Sequence, residues 1–179
     1  MSMDFTKLKK LSIGGVELKQ LFIDGVQVWK SGYKNWAHYA IDTDGSIYNG
    51  GKGYIDGQRL SSGGTLKEMQ NSTATGFIPI KSGDVVRIGG YPWYSTTSSL
   101  NYFNLYNSSF GLVKARTSAN ITLDTSVVSS AVINGDITEI TIANNANIAY
   151  CRANYYGSND DIANVTGANL IVTVNEDIT

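Results

Sequence analysis

Apolar residues along this chain occur in short runs that are separated by clusters of Gly, Asn, Asp and Ser. In the segment 100–106, tyrosine and asparagine residues on one predicted face alternate with phenylalanine and leucine on the other. This period of two is typical of a half-buried strand. No long stretch shows an apolar period of 3.6 residues, and good helix formers are scarce. β-branched and aromatic residues fill most of the short runs. The pattern therefore predicts an all-β protein.

The first thirty residues contain one ten-residue phrase twice, as LSIGGVELKQ and then LFIDGVQVWK. Each copy has a dipeptide that favours a tight hairpin turn, Gly14-Gly15 in the first and Asp24-Gly25 in the second. The repeat predicts a three-strand β-meander, with strands at about residues 8–13, 16–23 and 26–30. A meander of this size buries little apolar surface alone. We therefore expect it to dock on the rest of the chain, on a sister subunit or on a larger assembly.

The remainder of the chain predicts a second domain after a short linker. The boundaries are an N-terminal meander at 1–32 and a larger domain at 36–179. Residues 36–42 are predicted as the first strand of this domain, 46–64 as mostly loop, and 126–133 as either a short helix or a loop. Several short strands without helical crossovers indicate an antiparallel β-sandwich, with jelly-roll connectivity as the expected form.

Charge balance and the length of apolar runs argue against nucleic acid and membranes as partners. The 179 residues carry a formal net charge of −1, and 16% of them are charged, whereas nucleic-acid binding needs a concentrated basic face. No apolar run approaches the roughly 20 residues that span a bilayer, and no hydrophobic leader segment follows the start. We therefore expect no nucleic-acid partner, no membrane insertion, and synthesis in the cytoplasm without a signal peptide.

Residues with catalytic or metal-binding chemistry are few. Cys151 is the only cysteine and His38 the only histidine, so an intrachain disulfide is excluded and a histidine-based metal site is not expected. Cys151 lies in a strand-like run and is predicted to be a small buried hydrophobe. Asp42 and Asp44 resemble the opening of a calcium loop but lack its closing glutamate, so the sequence favours a hairpin turn over a calcium site. No pair of carboxylates suits glycoside hydrolysis. The sequence predicts no catalytic residue, no metal and no cofactor.

Aromatic residues interleaved with polar ones suggest where a saccharide could bind. Flat rings pack against the C–H faces of a pyranose, while amide, carboxylate and guanidinium groups meet its hydroxyls. Two predicted loops, 90–95 and 152–161, offer this mixture, and the alternative is that their rings only cover the ends of the sandwich. The candidate binding residues are Tyr91, Trp93, Tyr94, Arg152, Asn154, Tyr155 and Tyr156. A third candidate is the strand face of Tyr102, Asn104 and Tyr106, which could equally line a subunit interface.

Several segments together resemble tail-associated structural proteins of tailed bacteriophages and prophages. They are the end of the repeat at Val28-Trp29 and the segments 54–62, 75–88, 147–152 and 171–176. In that family such segments accompany jelly-roll modules similar to carbohydrate-binding domains. The resemblance carries no catalytic residue over to this chain.

The resemblance implies a non-enzymatic tail-tip or fibre protein of the virion. Its expected partners are a host cell-surface glycan, bound through aromatic loops, and other tail subunits. It implies a homo-oligomer, with a trimer as the expected state, in which several weak sites would combine their avidity. The alternatives are a purely structural tail or baseplate subunit and a surface-polysaccharide depolymerase.

Overall fold

A computed structural model describes residues 34–90, 101–117, 124–144, 147–156 and 165–178, and the backbone of four short strands between residues 11 and 30. These four strands are β1 (Leu11–Ile13), β2 (Val16–Leu18), β3 (Gln20–Ile23) and β4 (Val26–Lys30).

The two copies of the repeat form two separate antiparallel sheets of two strands each, β1 with β2 and β3 with β4. Ile13 pairs with Val16, and Ile23 pairs with Val26, so two residues separate the partners in each copy. The predicted middle strand at 16–23 is thus divided in two, because each phrase carries its own turn dipeptide and closes locally. The division into domains at 1–32 and 36–179 stays a prediction.

Ten further strands build the rest of the described chain. They are β5 (Tyr54–Leu60), β6 (Leu66–Thr75), β7 (Ile78–Pro79), β8 (Val85–Gly89), β9 (Asn101–Tyr106), β10 (Leu112–Thr117), β11 (Val128–Asn134), β12 (Ile137–Ile142), β13 (Tyr150–Tyr156) and β14 (Ile171–Val174). Sheet I has the order β10-β9-β13-β6-β5, with β7 also paired to β13, and sheet II has the order β11-β12-β8-β14. All described pairings are antiparallel. The all-β class and the two antiparallel sheets are confirmed, and jelly-roll connectivity stays a prediction.

The hydrophobic core lies between the two sheets and is built from alternate positions of their strands. Sheet I contributes Phe103, Leu105, Cys151, Ala153 and Tyr155, and sheet II contributes Val86, Ile88, Ile140, Ile142 and Val172. Fully burying an aliphatic or aromatic side chain of this size contributes about 1.5–3 kcal/mol. The burial of Cys151 is as predicted, and it raises the pKa of the thiol well above its usual range.

The predicted strand at 36–42 is wrong, because Trp36–Tyr39 forms a 3-10 helix. Asn35 sets this conformation: its Oδ1 accepts from the main-chain N–H of Ala37 at 3.1 Å and from that of Val172 at 3.0 Å. Its Nδ2 donates to the carbonyl of Leu170 at 2.8 Å. One buried amide therefore caps the helix and ties it to β14.

Two other segments are more regular than their sequence suggests. The glycine-rich stretch 46–64 contains the seven-residue strand β5. Residues 128–134 form strand β11, so neither alternative predicted for 126–133 describes them. In that hairpin Asn134 pairs with Ile137 across Gly135-Asp136, and Gly135 has a φ of 59°. Such a two-residue turn favours glycine because it requires positive φ.

The hairpin of β5 and β6 bends at a large bulge before it reaches its tip. Asp56 pairs with Thr73, but the next partners are Gln58 and Glu68, so one residue of β5 faces four residues of β6. The bulge contains Gly57 with a φ of 71° and an asparagine at 71 with a φ of 52°. Positive φ on both strands, which glycine and asparagine tolerate best, redirects the hairpin tip across the outer face of sheet I.

Candidate functional site

The outer face of sheet I carries a mixture of tyrosine, amide and guanidinium groups. These residues alternate with the core positions of β9 and β13 and pair across the two strands as Tyr106 with Tyr150, Asn104 with Arg152, and Tyr102 with Asn154. All of them except Tyr150 are buried. The face therefore points away from the core and is nevertheless largely shut off from solvent.

The tip of the β5–β6 hairpin covers part of this face with main-chain groups. The Tyr102 hydroxyl donates to the carbonyl of Leu60, Asn104 Nδ2 to that of Ser61 at 3.2 Å, and the Tyr106 hydroxyl to that of Gly64 at 3.2 Å. The expectation that β9 buries only one face is wrong, since Tyr102 to Tyr106 are buried throughout. The third candidate surface is therefore occupied by the chain's own hairpin.

The predicted loop at 152–161 is also wrong over the residues that the structure describes. Arg152 to Tyr156 belong to β13, which lies between β9 on one side and β6 and β7 on the other. Arg152 and Asn154 are buried on the outer face, Tyr155 is buried in the core, and Tyr156 is partly exposed. Residues 157–161 lie outside the described residues.

Tyr91, Trp93 and Tyr94, the candidates of the first predicted loop, lie outside the described residues as well. Their saccharide contacts stay a prediction, and so does a saccharide role for the β13 residues.

The structure brings together a different set of rings, which we call the aromatic cluster: Tyr48, Phe77, Phe110 and Tyr150. The rings of Phe110 and Tyr150 stack with centroids 4.6 Å apart and planes at 20°, and Phe77 meets Phe110 at 4.8 Å. Phe77 is buried, whereas Tyr48, Phe110 and Tyr150 are partly exposed. The cluster therefore exposes part of three rings to solvent, and the buried ring of Phe77 lies beneath them.

The backbone of Phe110 adopts a conformation that usually selects glycine or asparagine. Its φ is 60°, in the left-handed region that costs a side-chain-bearing residue about 1–2 kcal/mol. Asn107 holds the turn in place, because its Oδ1 accepts from the N–H groups of Ser109 at 3.0 Å and Gly111 at 2.9 Å. The ring contacts of Phe110 offset part of this strain, since each aromatic pair contributes about 0.5–1.5 kcal/mol.

Arg152 lies against two members of the cluster. Its Cζ is 5.0 Å from the ring centroid of Phe77 and 5.4 Å from that of Tyr48. Its Nε donates to the main-chain oxygen of Thr75 at 2.8 Å. Cation–π contacts of this kind contribute about 0.5–2 kcal/mol each, with the larger values in desolvated sites. Burial raises the pKa of the nearby Tyr106 phenol, and the hydrogen bond from Asn104 and the charge of Arg152 oppose part of that rise.

The acidic turn that resembles a calcium loop is organised by its own hydrogen bonds. Asp42 Oδ1 accepts from the N–H of Thr43 at 2.7 Å, and Asp44 Oδ1 accepts from the N–H and the hydroxyl of Ser46 at 2.9 and 2.6 Å. The hydroxyl of Ser46 is the larger cause of a lowered pKa at Asp44. Within the described ranges no three His, Cys, Asp or Glu side chains are grouped as a metal site would need. The geometry is that of the hairpin turn that the sequence favours.

Three of the four cluster residues gave no local indication in the sequence, because contacts between distant segments bring them together. Phe110 is the exception, since a bulky residue directly before glycine in an asparagine-initiated turn is unusual. Within the described part of the chain, no helix has the length and apolarity that a membrane span requires. Comparison with protein-family models, with curated proteins and with solved structures finds no match for this chain.

Proposed function

We propose that this protein is a non-catalytic virion component of a tailed phage or prophage that binds a glycan of the host cell surface. The observation that carries the proposal is the aromatic cluster, in which partly exposed rings lie beside a buried guanidinium. Ring faces of this kind pack against pyranose C–H groups, and adjacent polar groups fix the orientation of the sugar.

The strained turn at Phe110 supports a binding role for the cluster. A backbone in the left-handed region at a bulky residue is a genuine outlier, and such strain concentrates at functional sites. Glycine at position 110 would relieve the strain but would remove a ring from the exposed part of the cluster. Phenylalanine at position 110 therefore supplies a ring to the cluster at the cost of backbone strain.

The assignment to a phage virion is supported by the sequence resemblance alone. The segments that carry it include 54–62, which forms β5 and the first turn residues of the hairpin tip, and 75–88, which includes β7 and most of β8. These are sandwich elements, so they bear more directly on the fold than on the ligand. A location in the tail, other tail subunits as partners and a trimeric assembly are parts of the proposal.

Exposed aliphatic side chains favour a second candidate, a structural tail or baseplate subunit. Leu112 and Val113 of β10 are 38% and 39% exposed, and Val132 of β11 is 46% exposed. Both strands end the described order of their sheets, and unpaired strand edges with apolar side chains can pair with another chain. The two candidate functions differ in whether the ligand is a sugar or a protein.

Binding of the full chain to an array of bacterial surface glycans tests the proposal. We expect binding that is lost in Phe110→Ala and Tyr150→Ala and is kept in Val132→Ser, an exposed-site control. Trp93→Ala tests the loop predicted from sequence in the same assay. Each variant should retain the far-ultraviolet circular dichroism of the parent.

Two outcomes would contradict the proposal. Absence of binding to every glycan, together with a stable complex with a purified tail protein, would support the structural subunit. Release of reducing ends from a host polysaccharide would instead support the depolymerase.

A further inference from the structure

Arg152 is a buried positive charge without a carboxylate partner among the described residues. The residue is 7% exposed, and its Nη2 is shut off from solvent with no hydrogen-bond partner in the described chain. Arginine is almost never buried to this degree unless it is paired, because an isolated charge loses its hydration. The described residues therefore provide only part of the hydrogen bonds that the Arg152 guanidinium can make, and no opposite charge.

A second unsatisfied donor lies on the same face of the same strand. Asn154 is fully buried, and its Oδ1 accepts from the N–H of Leu60 at 2.7 Å, but its Nδ2 has no partner in the described residues. The two positions are separated by one residue of β13, so both side chains leave the strand on the outer face. Both unsatisfied atoms are donors, so the group that would satisfy them is a hydrogen-bond acceptor. Beside the positive charge of Arg152, that acceptor is expected to be an anion.

From this we propose that the glycan is acidic and that Arg152 binds the carboxylate of a hexuronic acid. The inference rests on the saccharide-binding function proposed above and names the class of sugar. A hexuronic acid carries its carboxylate directly on the pyranose ring. One sugar residue can therefore pack against the exposed part of the stacked Phe110–Tyr150 pair and place its charge toward the guanidinium, which lies 5.0 Å from the ring centroid of Phe77. A carboxylate is also the planar acceptor that a guanidinium binds most strongly.

We expect access of the carboxylate to Arg152 to require a movement of Tyr48, whose ring centroid lies 5.4 Å from Cζ of the guanidinium. Tyr48 is the more exposed of the two rings beside the guanidinium. It begins a four-residue helical turn in which Asn49 and Gly50 both have positive φ, at 51° and 65°. Rotation of this side chain would open a path toward the guanidinium and would leave the strand that holds Arg152 in place.

The test compares binding of the full chain to hexuronic-acid oligosaccharides and to the same oligosaccharides after carboxyl reduction. The probes are glucuronate, galacturonate and mannuronate oligomers, measured by calorimetry beside neutral, sulfated and phosphorylated glycans. We expect at least tenfold tighter binding of one carboxylated oligomer than of its reduced form, since a hydrogen bond to a charged group is among the strongest that proteins make. Arg152→Gln should abolish the preference, and Arg152→Lys should keep part of it.

The comparison on the unaltered chain decides the matter even if an Arg152 variant fails to fold. Equal binding of an oligomer and its reduced form would overturn the acidic assignment and leave glycan binding intact. Preference for sulfated or phosphorylated glycans over carboxylated ones would also overturn it. Binding of no glycan at all would overturn the proposed function itself, and the two failures are therefore distinguishable.

Discussion

Acidification from pH 7.5 to pH 5.0 should destabilise this protein through His38. The side chain is buried, its ring meets that of Tyr54 edge-on at 5.6 Å, and neither ring nitrogen has a hydrogen-bond partner in the described structure. Burial lowers the pKa of His38 from 6.5 to about 4. The folded state therefore holds the imidazole neutral at a pH where the unfolded chain binds a proton.

The sign and size of the effect follow from this difference in pKa. Well above pH 6.5 the imidazole is neutral in both states, so His38 adds no pH dependence there. Between pH 6.5 and about 4 only the unfolded state is protonated, so stability falls as the pH falls. At pH 5.0 the solution is about 1.5 units below the unfolded pKa, which corresponds to a loss of about 2 kcal/mol relative to pH 7.5.

Urea unfolding of the protein and of His38→Phe at pH 7.5 and pH 5.0 measures this loss. We expect the free energy of unfolding of the protein to fall by about 2 kcal/mol more than that of the variant. Hydrogen bonds from serines lower the pKa of Asp44 and of Asp124 below 3.8, so these carboxylates contribute little at pH 5.0. Equal pH dependence in the two proteins would refute the claim that His38 is held neutral by burial.

Three further substitutions test the packing around the outer face of sheet I by urea unfolding. Phe110→Gly should be more stable than Phe110→Ala by about 1 kcal/mol, because only glycine adopts the left-handed backbone without strain; equal stabilities would refute the strain. Tyr102→Phe should cost about 1–3 kcal/mol, because it leaves a buried main-chain carbonyl without its donor, and a change below about 0.5 kcal/mol would contradict this. Gly76→Ala should cost about 1–3 kcal/mol by overpacking, since a Cβ there would lie 2.5 Å from Cβ of Tyr48. Gly63→Ala, where the nearest atom would be 3.8 Å away, is the matched control and should change stability by less than about 0.5 kcal/mol.

The sequence was informative wherever a signal was local. The existence of strand β9 and the burial of Cys151 follow from a period of two, which depends only on neighbouring residues. The two turn dipeptides of the N-terminal repeat likewise predict where each chain reversal lies. The error at 36–42 arose because the fold depends on Asn35, whose amide joins main-chain groups more than a hundred residues away at Leu170 and Val172.

The outer face of sheet I shows why the candidate site could be predicted only in part. A sugar-binding face and a face covered by the protein's own chain share the same composition, because both place tyrosine, amide and guanidinium groups where they can donate hydrogen bonds. For Tyr102, Asn104 and Tyr106 the acceptors are carbonyls of the hairpin tip, and the bulge that brings the tip there is not evident from the alternation of β9. Arg152 lies on the same face, but its Nη2 meets no such carbonyl. In the proposed assignment it is therefore the unsatisfied donor of Arg152, rather than the composition of the strand, that separates the ligand position on this face from the part that the chain itself covers.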